Sequence, residues 1–90
     1  MSPVTDNTAA ARYELVEEGR TAYADYRLDA GRLVIDYVFS PPELRGHGTA
    51  GRLMAAVAED ARRRGLKITP ICGYAAAWLK RSPGNADLLA

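Results

Sequence analysis

The sequence predicts one domain that mixes strands and helices, an α+β fold with a single α/β crossover, and three observations support this class. Ninety residues with 48% hydrophobic content suffice for one core and are too few for two domains. Apolar and polar positions alternate through the first half of the chain, as is typical of strands. The second half carries apolar residues at helical spacing, interrupted by one short strand-like run. We therefore expect the order βββ–α–β–α over residues 12–90, preceded by a mobile tail at residues 1–11 that shows no period.

The first half is predicted to form an antiparallel meander of three strands. These strands are expected at residues 12–17, 21–28 and 32–39. The segments Glu18-Gly19 and Asp29-Ala30-Gly31 separate them, and both are turn signals. The third strand reads RLVIDYVF, and this density of β-branched and aromatic residues is typical of a central strand. Pro41 and Pro42 end it, because proline cannot donate a hydrogen bond to a neighbouring strand.

The second half is predicted to contain a crossover helix, a further strand and short C-terminal helices. The crossover helix is expected from residue 48 or 49 to Gly65, with the apolar residues at 53, 54, 57, 58 and 61 on one face. Residues 66–71 form the further strand, which Pro70 places at a sheet edge or a bulge. A short helix follows at residues 74–81, and a last turn at residues 85–89.

Composition narrows the classes of function. Twelve basic and eleven acidic residues leave a net charge of +1, which argues against a dedicated nucleic-acid binder. No apolar run approaches the roughly 20 residues that a membrane span needs, and residues 1–11 lack the basic and apolar blocks of a signal peptide. One cysteine and one histidine are too few for a protein-built zinc site. We therefore expect a cytoplasmic protein without metal, nucleic acid or membrane partner, whose oligomeric state the sequence does not indicate.

The segment PPELRGHGTAGRL at residues 41–53 holds the most informative pattern. A strand ends there, a loop with Gly46 and Gly48 follows, and a helix begins. Glycines let the backbone approach an anion closely, while the free N–H groups and the dipole at a helix start favour negative charge. Arg45 and Arg52 can add charge-assisted hydrogen bonds to phosphate oxygens. The Gly-Lys-Ser/Thr ending of a P-loop is absent, and no parallel βαβ unit surrounds the literal GxGxxG match, so the pattern predicts an anion site of another kind.

This loop resembles the coenzyme A motif R/Q-x-x-G-x-G/A of the GNAT N-acetyltransferase superfamily, in a shortened form. The residues that carry the resemblance are Arg45-Gly46-His47-Gly48-Thr49-Ala50. The chain is most similar to the small, single-domain YjdJ-like branch of that superfamily. The pattern of this branch runs through VID at 34–36, PELRGxGxA at 42–50, GLKIxPxC at 65–72, and an aromatic residue at Tyr74, where x is any residue. The resemblance spans residues 12–89, and the two motifs at this spacing are more specific than either alone.

The resemblance implies a minimal GNAT-like fold and an acetyl-CoA-dependent N-acetyltransferase. Acetyl-CoA would be the co-substrate, without a metal, and the acceptor would be an unidentified amine, either free or carried by a protein. The implied coenzyme-binding residues are Leu44, Arg45, Gly46, His47, Gly48, Thr49, Ala50 and Arg52. The pantetheine arm would lie between the strands at 33–39 and 66–72, and a backbone N–H near residues 38–40 would polarise the acetyl carbonyl.

Cys72 and Tyr74 are the candidate catalytic residues. The resemblance places Cys72 near the acetyl group, and a helix start can lower the pKa of a thiol, although a buried apolar role is an equal interpretation. The Tyr74 hydroxyl can protonate a leaving thiolate, or the ring can simply pack. Either the side chain of His47 contacts a phosphate or only its backbone N–H does, and we favour the backbone. Asp36 either acts as a base through a water molecule or pairs with Lys67 across two strands, and we favour the pairing.

Two departures from the branch pattern leave the activity open. Tyr37-Val38-Phe39 replaces the His-Thr-Glu that is common in the branch, which removes the obvious general base. Cys72-Gly73 replaces its usual Cys-Pro. A non-catalytic module that binds coenzyme A or acyl-CoA is therefore one alternative. A small protein-interaction domain, in which the glycine loop only turns the chain, is the other.

Overall fold

A computed structural model describes residues 3–90 of the chain as a five-stranded sheet with two α-helices. The strands are β1 (Val4–Asn7), β2 (Arg12–Glu17), β3 (Arg20–Asp29), β4 (Arg32–Phe39) and β5 (Lys67–Pro70). The helices are α1 (Thr49–Arg63) and α2 (Gly73–Arg81), and single 3-10 turns occupy Pro42–Leu44 and Ala86–Leu88. The predicted mixture of strands and helices is confirmed.

The order of strands in the sheet is the order in the chain, β1-β2-β3-β4-β5. The first three pairings are antiparallel, while β4 and β5 are parallel. Parallel neighbours need a crossover connection, and α1 provides it. The predicted meander and crossover helix are therefore confirmed. β5 lies at the edge of the sheet. Pro70 has no N–H group to donate, and at an edge no further strand needs that donor.

The predicted tail at residues 1–11 is corrected from residue 4 onward. Val4–Asn7 forms β1 and pairs antiparallel with β2. The Tyr26 hydroxyl also donates a hydrogen bond to Asp6 at 2.6 Å. Asp6 also lies 3.6 Å from Arg64, and Asn7 donates to Glu14 at 3.3 Å. An edge strand held by backbone pairing and polar contacts needs no apolar period, which is why the sequence pattern does not reveal it. Residues 1 and 2 of the predicted tail lie outside the described residues.

One core lies between the sheet and the helices. β2 to β5 contribute inward-facing side chains such as Leu15, Leu33, Ile35 and Ile68. α1 contributes all five predicted positions, namely Leu53, Met54, Val57, Ala58 and Ala61. α2 adds Ala75 and Leu79 to the same core. Each large apolar side chain buried in this way stabilises the fold by about 1.5–3 kcal/mol. This packing holds α1 in place, with its first turn beyond the end of β4.

β4 contains a bulge at Asp36. On β3, Tyr26 lies opposite Ile35 and Asp25 lies opposite Tyr37, so Asp36 has no opposite residue there. β5 pairs with β4 only as far as Ile35, whose carbonyl accepts hydrogen bonds from the N–H groups of residues 71 and 72 at 2.9 and 3.2 Å. The last four residues of β4 therefore have no neighbour on this side, and the two parallel strands separate.

The predicted ion pair between Asp36 and Lys67 is wrong. Arg27 holds Asp36 instead, through two hydrogen bonds of 2.8 and 2.9 Å. Lys67 donates to the backbone carbonyl of Asp87 at 2.7 Å. The strand register explains the difference, because Lys67 lies opposite Arg32, four residues before Asp36 along β4.

Candidate functional site

A cleft of about 380 Å³ opens where β4 and β5 separate. Its walls are the end of β4 (residues 37–40), the loop at 44–46, the start of α1 (48–51), and Tyr74 of α2. Among the described residues, Arg45 is the only charged side chain in this lining, and no carboxylate or imidazole joins it. The cleft is therefore weakly basic at its loop end and apolar and aromatic along β4.

The glycine loop ends in the helix that closes the cleft. Gly46 and Gly48 adopt φ angles of 85° and 79°, which residues other than glycine rarely adopt. Gly48 is the N-cap of α1, and no side chain caps the helix. The N–H groups of residues 49–51 consequently lack intrahelical partners, and all three residues line the cleft. A Cβ built on Gly46 meets no atom within 4 Å, so the loop is an open cradle with backbone donors at its edge.

Arg45 and Ser40 add polar groups beside this cradle. Arg45 Nε donates to the Ser40 carbonyl at 3.2 Å, and its two terminal nitrogens have no hydrogen-bond partner among the described residues. The Ser40 hydroxyl is excluded from solvent and has no hydrogen-bond partner in the described part of the chain. A buried hydroxyl left unpaired costs roughly 1–3 kcal/mol. The terminal nitrogens of Arg45 are therefore available to an anion in the cleft, whereas the buried Ser40 hydroxyl is not exposed to it.

Arg52, the second arginine predicted to bind phosphate, lies outside the lining of the cleft. Its Nε and Nη2 donate to the two carboxylate oxygens of Glu17 at 2.9 and 2.8 Å. The Thr49 hydroxyl donates to the same carboxylate at 2.6 Å. The hydrogen bonds from Arg52 and then Thr49 lower the pKa of Glu17 to about 2. Of the two arginines, the fold brings Arg45 to the cleft and engages Arg52 in an ion pair.

The remaining predicted loop residues divide in the same way. Leu44 is buried and lines the cleft. His47 is exposed and outside the lining, with Nδ1 at 3.6 Å from a carboxylate oxygen of Glu18. Ala50 lies in the first turn of α1 and contributes its backbone N–H to the open edge. The imidazole thus faces the turn between β2 and β3.

Tyr74 lines the cleft, whereas Cys72 does not. The Tyr74 hydroxyl oxygen lies 3.9 Å from the point where a Cβ on Gly51 would be, so α1 and α2 approach closely at this glycine. Cys72 is half-buried against the core and immediately precedes α2. Its backbone N–H donates to the Ile35 carbonyl at 3.2 Å. The thiol-bearing residue therefore lies at the point of strand separation, and the phenol lies beside the cleft.

No local motif indicates Glu17 or the Ser40 hydroxyl, which the structure adds to this region, whereas Gly51 already belongs to the literal GxGxxG match of the loop. The contacts of Glu17 with Thr49 and Arg52 span 32 and 35 residues of sequence. One signal for Glu17 exists, because strand alternation puts position 17 on the same face as the two buried apolar residues of β2. A carboxylate on that face needs a partner.

Comparisons with known proteins agree with this geometry. Residues 12–88 match the model of a family described as GCN5-related N-acetyl-transferase. The solution NMR structure of a GCN5-like candidate N-acetyltransferase from Staphylococcus aureus superposes with a TM-score of 0.76 at 27% sequence identity, covering 100% of this chain and 91% of that chain. No curated protein was found to match the sequence.

Two further properties concern membranes and metals. Across residues 3–90, neither helix has the length and apolar character needed to cross a membrane. Within the same residues, no three His, Cys, Asp or Glu side chains come together in a group that could hold a metal ion.

Proposed function

Because the chain belongs to the family of GCN5-related N-acetyltransferases, we propose that it binds acetyl-CoA in the cleft and transfers the acetyl group to an amine. One observation carries this proposal. The gap between the ends of β4 and β5 runs directly into the uncapped start of α1, where three backbone N–H groups have no intrahelical partner. A long thioester with an anionic end matches a cleft that is apolar at one end and rich in donors at the other.

In the proposed complex, the pyrophosphate lies at the start of α1. The N–H groups of residues 49–51 donate to its oxygens, and the free nitrogens of Arg45 add charge. The pantetheine arm lies along residues 36–39 of β4, whose backbone groups on this side have no strand partner. Amide groups of the arm can satisfy those donors and acceptors as a strand would. Leu44 and Tyr37 supply apolar contact.

The proposed reaction is a direct attack. The lone pair of the acceptor nitrogen forms a bond to the thioester carbonyl carbon, and negative charge develops on the carbonyl oxygen. A backbone N–H near residues 38–40 stabilises that charge. Collapse of this tetrahedral intermediate breaks the C–S bond. The Tyr74 hydroxyl gives its proton to the departing thiolate, and water takes the proton that the amine loses. Cys72 lies close to the acetyl group in this arrangement, and the attack does not require its thiol.

Isothermal titration with coenzyme A and acetyl-CoA tests binding, and absence of heat with either ligand would refute it. Release of free thiol from acetyl-CoA tests catalysis, with a panel of small amines, polyamines and lysine-containing peptides. Turnover with any of these acceptors, above the rate of hydrolysis, supports the transferase. We assign the activity to the cytosol, which suits a chain whose single cysteine is free.

A non-catalytic module that binds coenzyme A or acyl-CoA is the second candidate. The lining of the cleft favours it, since no Asp, Glu or His among the described residues contributes a side-chain base there. Binding without thiol release from any acceptor would support this candidate over the enzyme.

A further inference from the structure

The end of β2 contacts the start of α1, and we propose that Glu17 is a positioning residue for the phosphate end of the cleft. This inference rests on the proposed function, because it concerns how the same cleft is kept ready for coenzyme A. We call the contacts of Glu17 with Thr49 and Arg52 the Glu17 clamp. No atom of Glu17 lines the cleft, so its effect on a ligand there must pass through other residues.

The geometry of the Glu17 clamp fixes the first turn of α1 at two points. Glu17 is the last residue of β2, and Thr49 and Arg52 are the first and fourth residues of α1. The Thr49 hydroxyl donates to the carboxylate at 2.6 Å, and Arg52 donates to both of its oxygens at 2.9 and 2.8 Å. Thr49 itself is 1% exposed and lines the cleft. A turn held in this way keeps its free N–H groups aimed at one place.

Arg52 extends the Glu17 clamp to the glycine loop. A Cβ built on Gly48 would lie 3.1 Å from Arg52 Nη1, so the guanidinium lies close against the N-cap glycine. The carboxylate thus holds Arg52, and Arg52 lies against the residue at which the helix begins. Two exposed side-chain contacts flank this arrangement, His47 with Glu18 at 3.6 Å and the ion pair of Arg20 with Glu43 at 3.5 Å. Exposed pairs of this length contribute little, so the positioning falls to Glu17.

The charges of the Glu17 clamp are also suited to an anion site. A carboxylate beside a helix start would compete with phosphate for the positive end of the helix dipole. Arg52, which does not line the cleft, removes that conflict because it compensates the charge of Glu17. Among the described residues, Arg45 therefore remains the one charged side chain in the lining of the cleft.

The test compares two ligands that share one arm. Coenzyme A carries the phosphates, and pantetheine carries the same thiol arm without them. Affinities are measured by titration calorimetry for coenzyme A and by chemical-shift titration for pantetheine. Glu17→Ala is expected to weaken coenzyme A binding about tenfold, the loss typical of a hydrogen bond to a charged group, and to leave pantetheine binding unchanged. Glu17→Gln keeps the shape without the charge and is expected to fall between wild type and Glu17→Ala.

Asp87→Ala is the matched control. Asp87 holds Arg62 through two hydrogen bonds of 3.0 and 2.9 Å, which is the same chemistry at the other end of α1. Its removal should leave the ratio of the two affinities unchanged. Arg52→Ala should cause no further loss of coenzyme A affinity in the Glu17→Ala background, because the two residues act as one unit. An additional loss there would mean that Arg52 binds phosphate itself, and would overturn the proposal.

The outcomes separate the inference from the proposed function. Equal losses for both ligands would assign Glu17 a merely structural role, and unchanged coenzyme A binding would overturn the inference while the proposed function stands. Failure of the wild-type chain to bind coenzyme A would refute both. Thr49→Val, which removes one donor of the Glu17 clamp and keeps the side-chain shape, tests the same claim if Glu17→Ala does not fold. It should also weaken coenzyme A binding selectively, and an unchanged affinity ratio would count against the proposal.

Discussion

A carboxylate introduced at Gly46 should weaken coenzyme A binding strongly, whereas the same substitution at Gly31 should not. Both glycines have positive φ angles, 85° and 80°, and a Cβ built on either meets nothing within 4 Å. The backbone penalty for a side chain should therefore be similar, about 1–2 kcal/mol at each site. Gly46 lines the cleft, while Gly31 lies in the turn before β4, at the opposite end of that strand. Only the first substitution places negative charge beside the phosphates.

The size of the effect follows from electrostatics. Two unit charges about 6 Å apart at an effective dielectric constant near 20 repel by about 3 kcal/mol, which corresponds to roughly a hundredfold loss of affinity. Titration calorimetry of Gly46→Glu, Gly31→Glu and wild type with coenzyme A measures this loss, and urea unfolding checks that the two variants are equally stable. Equal affinities for the two variants would refute the assignment of the loop as the phosphate cradle.

Three further predictions concern catalysis and stability. Tyr74→Phe should lower the rate of thiol release and leave coenzyme A affinity within about twofold, because only the general acid is lost; a rate equal to wild type contradicts the role. Since Arg52 and Thr49 lower the pKa of Glu17 from 4.5 to about 2, the ionised carboxylate stabilises the fold above pH 4.5, and this contribution is lost as the pH falls towards 2. Thermal unfolding of wild type and Glu17→Gln should therefore differ at pH 7 and converge near pH 2, and a constant difference would exclude this linkage. Gly51→Ala should raise the free energy of unfolding by about 0.5–1 kcal/mol in urea titrations, since alanine favours the helix and its Cβ would lie 3.7 Å from Trp78 Nε1, an ordinary contact; destabilisation would show that the two helices cannot accommodate a methyl group.

The sequence predicts the parts of this fold that depend on local pattern. α1 follows from five apolar residues at helical spacing and from the glycine at each end, and all five are buried. Pro70 marks the edge strand because a missing donor is tolerated there. The glycine loop is also visible locally, because Gly46 and Gly48 adopt positive φ angles that few other residues accept.

Features that depend on pairing between distant segments are not visible in the same way. β1 is held by pairing with β2, by contacts of Asp6 with Tyr26 and Arg64, and by packing of Val4 against the core, so its own residues carry little pattern. The bulge at Asp36 depends on the register between β3 and β4. The contact of Asp36 with Arg27 rather than Lys67 depends on the register between β4 and β5, which puts Lys67 opposite Arg32. The choice between Arg45 and Arg52 likewise depends on Glu17, which is far away in sequence. Both arginines look equally suited to phosphate when only the loop is considered.

The absence of a side-chain base from the described lining constrains the acceptor in the proposed reaction. The outer face of the sheet beside the cleft is aromatic, with the rings of Tyr23 and Phe39 stacked at 5.2 Å and Tyr37 half-exposed at the lining. Arg12 already covers the ring of Tyr23 at 4.0 Å, so an arriving amine meets the π faces of Tyr37 and Phe39, which attract its cationic form. Asp25, opposite Tyr37, is engaged by Arg12 at 3.1 Å, and no carboxylate in the described lining is available to take the proton of the amine. The amine must therefore lose that proton to water before it attacks. We therefore expect the proposed transfer to favour amines that are substantially neutral at the working pH, such as α-amino groups and other weakly basic amines, over an unperturbed lysine.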